Sequence, residues 1–114
     1  MATLLITCSG LSNVGRLTTA VAHQLLIRHP GRFEWVRALA GPEEIARAAT
    51  GTSRVVVLDG CEDCCGTCKA REAGVEPILR LRATELGIIK DGRAEVKFTE
   101  IETVTRAVLN ASEG

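Results

Sequence analysis

The chain has 114 residues, 46% of them hydrophobic and 25% charged, enough for a single domain over 1–114 that buries a core of its own. Its 14 basic and 14 acidic residues cancel, which leaves no electrostatic footprint for a phosphate backbone or an anionic membrane. Aromatics are 3% with no Tyr, so the stacking platform of a single-strand binder is missing too, and nucleic acid is not an expected partner.

The first residues, Met1 to Cys8, lack the basic start of a secretory signal, and their apolar run is short. No stretch approaches the roughly 20 apolar residues of a membrane span. The expectation is a cytoplasmic protein without a membrane partner. In a reducing compartment its five cysteines read as metal ligands or redox centres before structural disulfides.

In chain order, Thr3 to Thr7 is a short β-rich apolar run, a candidate buried strand. Cys8-Ser-Gly-Leu-Ser-Asn13 breaks it, and Ser12 or Asn13 can cap a helix carrying Val14, Leu17, Val21 and Leu25 on one face. That helix ends near His29-Pro30-Gly31. Phe33 to Leu39 reads as a second strand. Pro42 opens a short helix through Ala49, stopped by Gly51. Arg54 to Asp59 is the clearest strand, a β-branched run closed by Gly60. A helix starts within the following cysteine cluster and ends at Gly74. Ile78 to Arg82 reads as a fourth strand and Ala94 to Phe98 as a short fifth. Thr99-Glu-Ile-Glu102 has capping-box spacing and starts a last helix to about Ala111.

This alternation implies right-handed crossovers and a three-layer α/β fold, Rossmann-like. Its sheet is mostly parallel, of four to five strands, with helices on both faces. Ligands of such sheets bind beyond the carboxyl ends of the strands. Cys8 and Cys61 fall just past the first and third strands, and if those strands are neighbours both thiols face one crevice.

Asp59-Gly-Cys61-Glu-Asp-Cys64-Cys65-Gly-Thr-Cys68 packs four thiols into a short span. As a helix, Cys61, Cys64, Cys65 and Cys68 would share a face, and free Cys can pack as a small hydrophobe. Glu62, Asp63 and Gly66 argue against an ordinary helix interior, and a core rarely takes Cys four times over Leu or Ala. A shared ion needs sulfurs at about 2.3 Å from it. On one unbroken helix Cys61 and Cys68 would stand about 10 Å apart along the axis, so the two cannot share an ion unless Cys61 sits in a loop before the helix, which Gly60 permits. A workable set is Cys8, Cys61 and Cys65 with one more thiolate.

Three stretches together resemble the DGC domain family: Cys8-Ser-Gly-Leu-Ser-Asn-Val-Gly-Arg-Leu17, Asp59-Gly-Cys61 followed by Cys65, and Leu86-Gly-Ile-Ile-Lys90. The likeness touches roughly residues 3 to 91. It implies four potential chelating cysteines, zinc as their metal and no assigned function. Cys8, Cys61 and Cys65 match three of those positions. The fourth, before a Leu-Ala-Gly segment, is Ala38 here, ahead of Leu39-Ala-Gly41. Cys64 and Cys68 are additional by this comparison, and either can supply the missing ligand.

Other readings compete. Cys61-x-x-Cys64 and Cys65-x-x-Cys68 have dithiol spacing, and a thioredoxin-like site would need a proline strand opposite, for which Val75-Glu-Pro77 is the candidate. Four thiolates also suit an iron–sulfur cluster. A closed zinc site that only braces the fold is a further possibility. Gly10-Leu-Ser-Asn-Val-Gly15-Arg16 resembles half a phosphate loop but lacks its Lys-Ser/Thr ending, so close strand–helix packing is the favoured role. The spacing of Cys8 and Arg16 is too long for a Cys-loop phosphatase. His23 and His29 suit surface positions, Lys90 a solvated one, and Trp35 core or interface area. Asp59 suits a turn role over a ligand-orienting one. The expectation is a zinc-thiolate protein, a metal carrier or sensor with an unidentified protein partner, rather than an enzyme.

Overall fold

The computed structural model describes residues 2–7, 13–59, 65–88 and 95–113. Strands β1 (Ala2–Thr7), β2 (Phe33–Arg37), β3 (Thr52–Asp59) and β4 (Leu79–Arg82) form one parallel sheet in the order β2-β1-β3-β4. Around it lie α1 (Asn13–Arg28), α2 (Pro42–Thr50), α3 (Cys65–Glu72) and α4 (Phe98–Glu113). Short 3₁₀ turns occupy Ala38–Ala40 and Ala83–Leu86. The expected three-layer α/β architecture is the one found.

β1 and β3 are the inner strands, covered on both faces, which is why Leu4-Leu5-Ile6 and Val55-Val56-Val57-Leu58 are continuous apolar runs. Alternation along each strand sends these side chains to opposite layers. Leu5, Val56 and Leu58 meet Leu17, Val21 and Leu25 of α1 and Val104 and Val108 of α4. Leu4, Ile6 and Val57 meet Ile45 of α2 and Ala70 of α3. Each such aliphatic contributes about 1.5–3 kcal/mol by leaving water. Leu5→Ala would open a cavity at the centre of the first layer and cost about 2–5 kcal/mol.

This topology reverses at β1. The chain leaves β1 through α1 on one face to reach β2, then crosses back by way of α2 to β3. From β3 it passes through α3, on the other face, to β4. The carboxyl ends of β1 and β3 therefore flank a topological switch point, where helices diverge to opposite faces and leave a crevice.

Two expected elements differ. β2 stops at Arg37, because Ala38–Ala40 curls into a 3₁₀ turn with Ala38 buried and Leu39 73% exposed. Gly41, at φ 95°, then supplies the left-handed corner from which Pro42 starts α2. Among the described residues the expected fifth strand does not form. Glu95 to Lys97 belong to no regular element and Phe98 already begins α4, while Ala94 lies outside the described residues. The last helix is also capped earlier than its Thr99–Glu102 spacing suggests. The Lys97 backbone N–H donates to the Glu100 carboxylate at 3.0 Å, and the Glu100 N–H donates to the Lys97 carbonyl at 3.0 Å. Glu102 instead pairs with Arg28 at 2.8 Å, tying the start of α4 to the end of α1.

Candidate functional site

The crevice is built from the ends of two adjacent strands. Thr7, the last residue of β1, pairs in parallel register with Leu58, one residue before the end of β3. Neighbouring strands run about 4.8 Å apart. The segments holding Cys8 and Gly60-Cys61 thus depart from adjoining points on one edge of the sheet. Cys8, Cys61 and Cys64 themselves lie outside the described residues, and Cys65 is the first residue of α3. Lys90 and Ser12 lie outside them as well.

Asp59 anchors α3 to this edge. It ends β3 with its side chain on the α3 face and is 2% exposed. One carboxylate oxygen, Oδ1, accepts the Gly66 backbone N–H at 2.8 Å, and Oδ2 accepts the Thr67 hydroxyl at 2.6 Å. Gly66 and Thr67 follow Cys65 in the first turn, whose N–H groups have no partner inside the helix. A carboxylate there satisfies a donor and meets the positive end of the helix dipole. The turn role expected of Asp59 is what it performs, from a buried position, and the electrostatic seat at the start of α3 is already filled by its own carboxylate.

Gly66 makes that approach possible. A β-carbon on it would stand 2.9 Å from Asp59 Oδ1 and 2.9 Å from Val57 Cγ1, closer than side chains tolerate. The glycine that looked out of place within a helix is there because strand and helix nearly touch.

Cys68 is exposed and carries no disulfide, on the side of α3 opposite the buried Gly66, Thr67 and Ala70. It does not pack as a small core hydrophobe. Among the described residues no group of three or more His, Cys, Asp or Glu side chains converges. The position matched by the family's remaining cysteine, Ala38, follows directly on β2 at this same edge, where it is 2% exposed and packed in the α2–α3 layer. β2, β1 and β3 are consecutive in the sheet, so all three strand ends border the crevice.

The remaining candidates fall elsewhere. Ile78, next to Pro77, donates its N–H to the Val55 carbonyl, which puts this proline toward the amino edge, far from the cysteine segments. Gly15 is buried within α1 and Arg16 is exposed. His23 is exposed, its ring edge-on to Trp35 at 4.9 Å, and His29 lies 6.2 Å from the ring of Phe33. Trp35 packs against the α1–α4 layer, as expected of core area, but it also donates its indole N–H to Thr7 Oγ1 at 2.9 Å. That bond, linking β2 to the residue before Cys8, has no signal in the sequence. No local spacing relates two strands this far apart along the chain.

A family model of the DGC domain matches residues 4–108, nearly the whole chain. The chain belongs to the DGC domain family. No curated protein and no solved structure matches it. In this DGC domain the matched span runs from within β1 into α4, so it covers the switch point and both strands that flank it. Among its described residues no helix is long and apolar enough to cross a membrane.

Proposed function

We propose that this DGC domain is a metal-binding module that holds one zinc ion through cysteine thiolates at the carboxyl edge of its sheet. Cys8, Cys61 and Cys65 are the preferred ligands, with Cys64 or Cys68 completing the set. The observation that carries the reading is the in-register pairing of β1 with β3, whose ends adjoin at the switch point. Two cysteine-bearing segments far apart in sequence depart from that one place.

The donor chemistry supports zinc. Asp59 is spent on the Gly66 N–H and the Thr67 hydroxyl and so is not among the proposed donors, which are sulfurs. Soft thiolates select zinc, copper(I) or iron–sulfur clusters over hard cations. Cys68 stands three residues after Cys65 on α3, within reach of a shared ion, so it and Cys64 are both open to the fourth place. Thiolate ligands must stay reduced, which suits a cytoplasmic protein. A metal carrier or sensor acting with a protein partner is the role proposed for such a site.

The deciding measurement is the metal content of protein purified without oxygen. One zinc per chain and no visible absorption is the expected result. Iron with acid-labile sulfide would replace zinc by a cluster. A protein free of metal that forms a reversible internal disulfide would end the proposal.

A further inference from the structure

Next to the anchored start of α3, on the far side of Asp59 from β1, the edge strand β4 forms one wall of a cleft of about 290 Å³. Asp59, Thr67, Arg80, Leu81, Arg82 and Glu85 line it. Arg80 registers with Val57 and Arg82 with Asp59, so alternation puts both arginines on the α3 face of the sheet, about 7 Å apart along the strand. Three of the four charged groups are committed. Asp59 accepts from Gly66 and Thr67, and Arg82 is paired with Glu85. The Arg80 side chain is exposed and has no hydrogen-bond or ion-pair partner among the described residues. A guanidinium offers a planar fork that matches the oxygens of a carboxylate or phosphate. Arg82 is offset by Glu85 and Asp59 keeps its negative charge against two neutral donors, so the attraction of the cleft for an oxyanion rests on the Arg80 guanidinium alone.

We propose that this cleft binds a small oxyanion, a carboxylate or phosphate group, held by Arg80. The proposal concerns the cleft residues themselves and does not rest on a bound metal. The Thr67 hydroxyl hydrogen is taken by Asp59, which leaves its oxygen as an acceptor for a protonated or hydroxyl-bearing part of the same ligand. The volume lies at the small end for ligand pockets, which limits the occupant to a small molecule or the tip of a side chain.

The test uses the full chain, with amide resonances followed by NMR. Inorganic phosphate and acetate are titrated in turn at constant ionic strength. Saturable shifts at Thr67 and along Leu79–Arg82 with either probe are the expected result, and the stronger probe gives the class. Arg80→Gln should weaken binding at least ten-fold, whereas Arg106→Gln, on an exposed part of α4, should leave it unchanged. Shifts that never saturate with either probe overturn the proposal. So does an affinity that Arg80→Gln leaves intact, or one that Arg106→Gln lowers equally.

Discussion

The Thr67 hydroxyl donates to Asp59 at 2.6 Å, joining the last residue of β3 to the first turn of α3 across the segment that holds Cys61 and Cys64. Together with the Gly66 N–H bond it closes that segment at both ends. Asp59→Ala would leave two buried donors without their acceptor. The expected loss is about 2–3 kcal/mol, because bonds to a charged acceptor are stronger than neutral ones. Asp59→Asn keeps one acceptor oxygen and should lose about half as much. Urea unfolding followed by the fluorescence of Trp35, the chain's one tryptophan, measures both. Equal stability of Asp59→Ala and the parent would show that the carboxylate anchors nothing.

Gly66→Ala reverses the usual rule for helices. Alanine is favoured over glycine by about 1 kcal/mol in a helix interior. At this position the added methyl would meet Asp59 Oδ1 and Val57 Cγ1 at 2.9 Å each. Val57 is β-branched and fully buried, so it has little room to turn away. The variant should lose about 1–3 kcal/mol, the range for overpacked sites. Gly51→Ala is the control. Its β-carbon would have only ordinary contact at 3.9 Å and its φ is negative, so its stability should stay within about 0.5 kcal/mol of the parent.

These positions also mark what was legible in the residues. The apolar runs of β1 and β3 announced buried strands because both faces of an inner parallel strand need apolar side chains. At β2 the pattern overran by two residues, since Leu39 continues an apolar series although it is exposed in a turn. Val96 and Phe98 alternate like a strand, yet no strand forms and Phe98 is 62% exposed at the start of α4. The Thr99–Glu102 spacing matched a capping box two residues late. Lys97 and Glu100 do the capping, and tertiary contact with Arg28 takes Glu102. For the site, the residues could only pose the adjacency of β1 and β3 as a condition, because strand order is set by packing between distant segments. The role of Gly66 stayed hidden because its reason is a contact with another element.

Trp35 should report on the cysteine edge. Its indole N–H donates to Thr7 Oγ1 at 2.9 Å, one residue before Cys8. Adding zinc to metal-free protein should change its emission with an end point at one equivalent. Thr7→Val removes the acceptor at nearly constant volume and should cost about 1 kcal/mol, with a shift of the emission maximum in the metal-free state. An emission spectrum blind to zinc while metal binds stoichiometrically would detach Trp35 from the site.

Cys68 separates the two choices of fourth ligand. It is exposed on the side of α3 turned from the sheet, so Cys68→Ser removes no packed atoms and should change stability by less than about 0.5 kcal/mol. With Cys64 as the ligand, Cys68→Ser keeps one zinc per chain, and Cys64→Ser lowers zinc affinity sharply. The reverse pattern would assign the place to Cys68. Thiol labelling gives the matching readout on zinc-loaded protein: the parent should lose one fast-reacting thiol on conversion to Cys68→Ser, and the remaining cysteines should react only as the metal is withdrawn by chelator. Should Cys68 be protected by zinc and exposed by its removal, it would hold the fourth place beside Cys65, three residues earlier on α3.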